Sequence, residues 1–433
     1  MSDTSFVRQE MLSEQPAPAS SVGFLGWIKN NLFSTWFNSI LTVIALGFVW
    51  YILAGVLPWT FLSVWNAGSL SECREIARQV WGESHGHACW AVINDRWIQL
   101  LFGFYPSHLY WRPILAFVLL GFALAPVLFP QSSRKLLILS GLYPFILPWL
   151  MWGGSIWSPI MALIGFVIGY LAIKNLSERI GQLGAIFSSI FAAFLWWLLI
   201  GPVFVDLLSA NIPIALESVA SRDFGGFVLA LLIGIVAIVC SLPIGIILAL
   251  GRQSDLIIVK AFSVAFIEFI RGVPLITLLF VASLLLNLFL PPGTEFDIIL
   301  RVMIMVTLFS SAYMAEVIRG GLAALPKGQY EGADSLGLDY WQAQRLIIMP
   351  QALKVSIPGI VSTFIGLFKD TTLVSIIGLM DPLGLSQGIR ANAEWNGIYW
   401  ELFAFIALLF FVVCFSMSRY SMYLERKLQT DHR

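Results

Sequence analysis

Charge is what this sequence has least of. Only 12% of its 433 residues are Asp, Glu, Lys or Arg, about half the ~25% of a soluble domain. Cysteine is almost as scarce: four residues and no Cys-x-x-Cys pair, which excludes a disulfide scaffold and a zinc ribbon. No Gly-Lys dipeptide occurs, so the glycine-rich loop that cradles nucleotide phosphates is missing. What fills the space is apolar, with 58% hydrophobic residues, 17 Trp and 33 Phe. That composition excludes a disordered chain, a nucleic-acid-binding protein and an ordinary cytosolic enzyme. It fits a polytopic membrane protein. The 25 basic residues balance the 25 acidic ones, so net charge is silent about partners and only its distribution speaks.

Crossing ~30 Å of hydrocarbon takes about 20 apolar residues in a helix, because every backbone amide in lipid must be paired within its own segment. Charge-free windows of that length run over 30–71, 113–133, 136–173, 183–205, 224–251 and 272–294. Three more near 298–318, 356–378 and 402–423 are interrupted or flanked by charges. Gly153-Gly154-Ser155 and Pro159 divide the 136–173 window into two short spans and a tight turn. This gives an all-α membrane protein of about ten transmembrane helices, or eight if that window does not cross. With the N-terminus inside, 16 of the 25 Lys and Arg fall inside, seven outside, and Arg271 and Lys369 within spans, as the positive-inside rule asks.

The expected organisation is a cytoplasmic tail at 1–31, an N-terminal transmembrane extension at 32–206 with an outside loop at 58–112, a core at 224–423 and a cytoplasmic tail at 424–433. The tail has no basic stretch followed by an apolar run and a cleavage site, and so does not read as a signal peptide. Spans of the extension are nearly free of charge. The core carries Glu268, Arg271, Glu316, Lys369 and Asp370 within or beside its spans. Ionisable groups there cost at least ~2.5 kcal/mol each and face a partner or a water-filled path, so function is expected in the core.

One cytoplasmic loop, 319–354, has the features of a presented helix. Pro326 suits a helix start, Gly337 a left-handed helix end, and Asp339 can cap a second helix that Pro350 would stop or kink. Tyr330, Ala333 and Leu336 share one face by their spacing, and the small pair Gly332-Ala333 permits close approach by another protein.

Glu331-Gly-Ala-x-x-x-Gly337, nine residues, then Ile347-x-Met-Pro350 resembles the E-A-A-x-x-x-G-(x)9-I-x-L-P loop of type I ABC importer permeases, with Gly in the second place and Met for Leu. Glu268-x-x-Arg271-Gly272-Val273-Pro274-Leu, Ala315-Glu316-x-x-Arg319-Gly-Gly and Lys369-Asp370-Thr371-Thr372-Leu-Val-Ser375 resemble segments of polar amino-acid permeases. The extension and total length resemble the long permease subunit of general L-amino-acid importers. The resemblance covers roughly 224–423. It implies an inner-membrane, multi-pass permease core and a second, homologous permease subunit, which suggests a heterodimer. It also implies two cytosolic ATPase subunits holding ATP and Mg, a periplasmic amino-acid-binding protein and an amino-acid cargo. This chain would then hold no cofactor and be no enzyme itself.

On that reading Tyr330, Glu331, Gly332, Ala333, Leu336, Gly337 and Pro350 couple the chain to the ATPase. Arg271, Gly272, Val273, Pro274, Lys369, Asp370, Thr371, Thr372 and Ser375 are the substrate-path candidates. Pro274 frees a carbonyl one turn back, so its helix is expected to break near mid-membrane. The plainer alternative makes Pro274 a packing kink and Lys369-Asp370 a structural ion pair. Cys73 and Cys89, with fifteen residues between them on the oxidising side, are expected to form a disulfide. Glu83-Ser-His85-Gly-His87-Ala-Cys89 reads as a surface loop rather than a metal site, and Cys240 and Cys414 as small apolar fillers. The competing functional class is an ion-coupled secondary transporter, which also uses buried charge and a broken helix but leaves the capped cytoplasmic loop unexplained.

Overall fold

The structure is a computed structural model, and it describes residues 23–82, 86–129, 131–285 and 296–429. Among these, eight helices are long and apolar enough to cross a membrane: Trp36–Phe61, Ser107–Leu128, Trp157–Gly181, Gly184–Asn211, Gly226–Gln253, Ile298–Ala323, Tyr340–Ile377 and Trp400–Leu428. A bent pair, Ile257–Gly272 with Leu275–Leu285, would make a ninth. The 17-residue apolar helix Leu136–Trp152, about 25 Å long at 1.5 Å per residue, would make a tenth. The turn expected in the 136–173 window is present, with Gly153 and Gly154 both at positive φ between Leu136–Trp152 and Trp157–Gly181.

The chain divides into two compact units, 1–91 and 92–433. In the first, Thr35 caps Trp36–Phe61, a helix with no buried residue. Ser69 caps Leu70–Trp81, which buries Leu70, Cys73 and Ala77, one face of an amphipathic helix at i, i+3 and i+7. Cys73 and Cys89 are joined in a disulfide, with Cα atoms 6.1 Å apart. His87 stacks on Trp81 at 4.9 Å, and its Nδ1 lies 2.8 Å from the Leu62 carbonyl. Glu83 and His85, the other members of that histidine-bearing stretch, lie outside the described residues.

In the second unit the Gly226–Gln253 and Ile298–Ala323 helices lie along one another. Their approach is close enough that any side chain at Gly245 would strike Met314. Residues that the charge distribution assigns to one side of the membrane meet residues assigned to the same side. On the outside, Gly154–Ser155 pairs antiparallel with Ala215–Leu216, Arg96 meets Glu394 at 3.2 Å, and Arg112 Nη1 donates to the Glu217 carbonyl at 2.6 Å. On the inside, Tyr420 Oη donates to the Leu128 carbonyl at 2.6 Å.

No gap in packing falls at the expected boundary between 206 and 224. Phe224, 1% exposed, stacks on Trp152 at 4.7 Å and meets Tyr105 edge-on at 5.4 Å. One buried cluster holds Tyr105, Tyr143 and Met151 together with Phe224, Leu229 and Leu232. The helices between 92 and 152 are therefore built onto the core rather than tethered to it.

Candidate functional site: the coupling loop and the charged cluster beside the broken span

Lys327–Ser335 folds as a nine-residue helix entered through Pro326, whose φ of −59° and ψ of 139° place it at the cap rather than in the first turn. Gly337, at φ +70°, ends it. The Gly337 amide donates to the Asp334 carbonyl at 2.9 Å and the Leu338 amide to the Ala333 carbonyl at 3.3 Å. This is the paired reverse bonding of a glycine-terminated helix, which satisfies two orphan carbonyls. Asp339 then caps the next helix in a reciprocal box with Gln342.

The inward and outward faces of this helix differ from the spacing argument. Ala333 is 1% exposed and faces its own chain, and the half-buried Tyr330 donates from its hydroxyl to the Leu322 carbonyl at 3.4 Å. Ala333 is thus not available for close approach by another protein, because a helix this short must spend one face on its own support. Leu336 is 73% exposed and so does not share the buried face. What the helix presents is Glu331, Gly332, Asp334 and Leu336, and a Cβ at Gly332 would meet nothing within 4 Å.

Pro350 neither stops nor ends the helix that contains it. A π-turn at Gln344–Ile348 precedes it, and the wider turn relieves the clash a proline ring makes with the carbonyl four residues back. The span expected from Ser356 therefore starts at Tyr340 and runs 38 residues to Ile377. That is about 57 Å of helix, well beyond the ~30 Å of hydrocarbon, so its first turns extend past the hydrocarbon toward the Lys327–Ser335 helix.

The break expected at Pro274 is present. Ile257–Gly272 and Leu275–Leu285 meet at 101° through Val273 and Pro274, both extended. Arg271 Nη1 is 3.7 Å from Glu316 Oε2, and Glu316 is only about two turns from Ala323, where Ile298–Ala323 ends ahead of the Lys327–Ser335 helix. Glu316 is the hub of a charged cluster. Arg252 Nη1 donates to Glu316 Oε1 and to Glu268 Oε1, both at 2.8 Å. Arg319 Nε donates to Glu316 Oε2 at 3.1 Å. Tyr313 supports Arg271 from the other side, its ring centre 5.6 Å from the guanidinium. The three arginines outnumber the two carboxylates, and the Glu316 side chain is only 16% exposed. Desolvated pairs of this kind are costly to break singly.

Lys369, Asp370 and the residues after them lie apart from this cluster. Thr371–Ile377 is a tightened end to its span and packs against Leu275–Phe280, beyond the break. Thr371 is fully buried and donates to the Phe368 carbonyl at 2.7 Å. Thr372 donates to the Lys369 carbonyl at 2.9 Å, and Ser375 to the Thr372 carbonyl at 2.9 Å. Thr371 is closed off, and the hydroxyl hydrogens of Thr372 and Ser375 are spent locally, so toward a cargo those two can act only as acceptors. Lys369 is exposed, and Asp370 beside it is half-buried. Gly272, Val273 and Pro274 thus border the charged cluster, while Lys369 through Ser375 sit with the segment that follows the break. Arg252 and Tyr313 were not singled out by sequence. A basic residue in the last turn of a span reads as an interface anchor until two neighbouring helices each place a carboxylate against it.

Residues 241–430 match the binding-protein-dependent transport system inner membrane component family. Over its whole length the chain is 60% identical to the glutamate/glutamine/aspartate/asparagine transport system permease protein BztC of Rhodobacter capsulatus, all of which is covered. It is 39% identical to the inner membrane amino-acid ABC transporter permease protein YhdY of Escherichia coli, over 97% of this chain and 98% of that one. A solved amino-acid ABC transporter chain shares 31% identity over 46% of this chain and 90% of its own, with a TM-score of 0.41. This chain belongs to the amino-acid ABC transporter permeases, the inner membrane components of binding-protein-dependent transport systems.

Proposed function

We propose that this permease lies in the inner membrane as one of two homologous membrane subunits. Two cytosolic ATPases holding ATP and Mg would drive the pair, and a periplasmic binding protein would load it. The cargo class is glutamate, glutamine, aspartate and asparagine, the amino acids named for the relative that is 60% identical from end to end. The observation that carries this reading is the exposed helix Lys327–Ser335. It offers Glu331 and Gly332 outward and is joined through Arg319 and Glu316 to Arg271 at the broken span. ATP binding would close the ATPase dimer and move the gripped helix. The Ile298–Ala323 and Tyr340–Ile377 helices would carry that motion to the break, a rigid-body switch between two states of the spans.

Co-expression with the partner subunits and reconstitution in proteoliposomes test it. Uptake of the four amino acids should require ATP inside and loaded binding protein outside. Uptake by the chain alone, driven by an ion gradient, would replace this reading with the secondary-transporter one.

A further inference from the structure

Among the helices that precede the core, Gly184–Asn211 carries one carboxylate on an otherwise apolar flank. Asp206 is exposed and, among the described residues, has no hydrogen-bond or ion-pair partner. An ionised group on a span costs free energy unless something compensates it. Beside it lies a cavity of about 320 Å³ lined by Asp206, Ser158, Trp197, Gly201 and Pro202, at the small end of the ~300–1,000 Å³ usual for ligand sites. A π-turn at Trp196–Ile200 shapes this wall. It lets consecutive indoles reach the neighbouring helix: Trp196 donates to the Met161 carbonyl at 2.8 Å and Trp197 to the Ala162 carbonyl at 3.1 Å.

Met161, Ala162 and Val205 make the rest of the lining apolar, and its few polar groups are one-sided. The Trp197 N–H is already used, so its ring offers the cavity π surface. Pro202 has no N–H, which leaves a carbonyl of the preceding turn without its usual donor. Asp206 contributes a carboxylate and Ser158 a hydroxyl. Such a site is rich in acceptors and poor in donors, and it suits a cation that carries several N–H groups of its own. It opens on a flank where Val203 is 63% and Leu207 57% exposed, surface that lipid would cover. It also lies near one end of the hairpin, since Ser158 follows Trp157, whose indole donates to the Ile212 carbonyl at 3.1 Å.

We propose that this cavity binds the ammonium headgroup of an ethanolamine phospholipid of the outer leaflet, with the ammonium between the Asp206 carboxylate and the Trp197 ring. Charge complementarity favours this occupant over an anionic lipid. The acceptor-rich lining favours a primary ammonium over the N-methylated choline group, which has no N–H to give.

The complete transporter in nanodiscs of equal parts phosphatidylethanolamine and phosphatidylglycerol tests the proposal, the lipid retained through a lipid-free wash being counted by mass spectrometry. Wild type should retain phosphatidylethanolamine with about tenfold enrichment, the order expected of one charge-assisted hydrogen bond with a cation–π contact. Asp206→Asn should return the ratio to that of the disc, and Asp206→Glu should keep most of the enrichment. Replacing phosphatidylethanolamine with phosphatidylcholine should abolish it. Equal ratios in wild type and Asp206→Asn, or equal retention of phosphatidylcholine, would overturn the proposal. So would an Asp206→Asn effect confined to subunit assembly, since a partner's cation would then be the occupant.

Discussion

Asp381 is a fully buried carboxylate with half of its hydrogen-bonding capacity unused. Its Oδ1 accepts from the Gly384 amide at 2.9 Å and caps Pro382–Ala391, while Oδ2 has no partner. Burial pushes its pKa up to about 6, against the opposing pull of the Gly384 and Leu383 amides. A carboxyl raised in this way holds its proton more tightly folded than unfolded. Its contribution to stability is therefore fully present below the ordinary value of 3.8 and is lost as pH rises through about 6. On the order of 2–3 kcal/mol should go across that window. Asp381→Asn keeps an acceptor for the cap and removes the titration. The detergent-solubilised variant should melt with a flatter pH dependence between pH 4 and 7 than wild type. An unchanged slope would show that some other group sets it. The cysteines make a second residue-scale test. With Cys73 and Cys89 bonded and Cys240 and Cys414 free, the denatured, unreduced chain should titrate two thiols. Four would break the disulfide and with it the outside placement of that loop.

Two elements carry the coupling proposal, and each has its own weak point. Gly337 sits at φ +70° with nothing within 4 Å of where a Cβ would be. The obstacle to a side chain there is the backbone itself, at about 1–2 kcal/mol. Gly337→Val should therefore loosen the end of Lys327–Ser335 without touching the path. Insertion and expression should persist while stimulation of ATPase by loaded binding protein disappears; normal stimulation would remove the helix from the coupling role. At the other element, Glu316→Gln keeps shape and leaves Arg252, Arg271 and Arg319 facing one another with Glu268 as the remaining carboxylate. ATPase activity should persist but import per ATP should fall several-fold, because three arginines would then share one carboxylate beside the break. Unaltered import would make the cluster a passive interface. The loop could be read from sequence because its cues are local: Pro326 and Gly337 act through their own backbone, and Asp339 through a side chain that accepts from the amide three residues on. The cluster could not. Glu316 and Arg319 announce themselves three residues apart, but Arg252 is 64 residues from Glu316 and joins it only when two spans pack. Ala333 shows the same limit, since spacing places it on a face without saying which side that face turns to.

At the scale of the whole molecule, hydropathy and charge bias located the spans because lipid leaves a helix few alternatives. They gave no information about what the extension packs against. The composition changes between 206 and 224, and a change of composition resembles a domain boundary. The packing crosses it. Arg112, 2% exposed, reaches the Glu217 carbonyl, the Trp395 indole donates to Asp95 at 3.0 Å, and Phe224 lies between Tyr105 and Trp152. These contacts join residues far apart in sequence, and nothing in their local sequence marks them. Phe224→Ala tests whether the helices at 92–206 are structurally part of the core. Removing a fully packed aromatic ring costs about 3–5 kcal/mol and would leave Tyr105 and Trp152 without the surface they share. If residues 92–429 form one cooperative body, the purified variant should show a single thermal transition lowered as a whole, with proteolysis of the extension and the core accelerating together. If the extension were an independent bundle, only the fragment that keeps position 224 would be cut faster, and the helices before it would survive as a stable piece. That outcome would restore the boundary and make the extension an appendage.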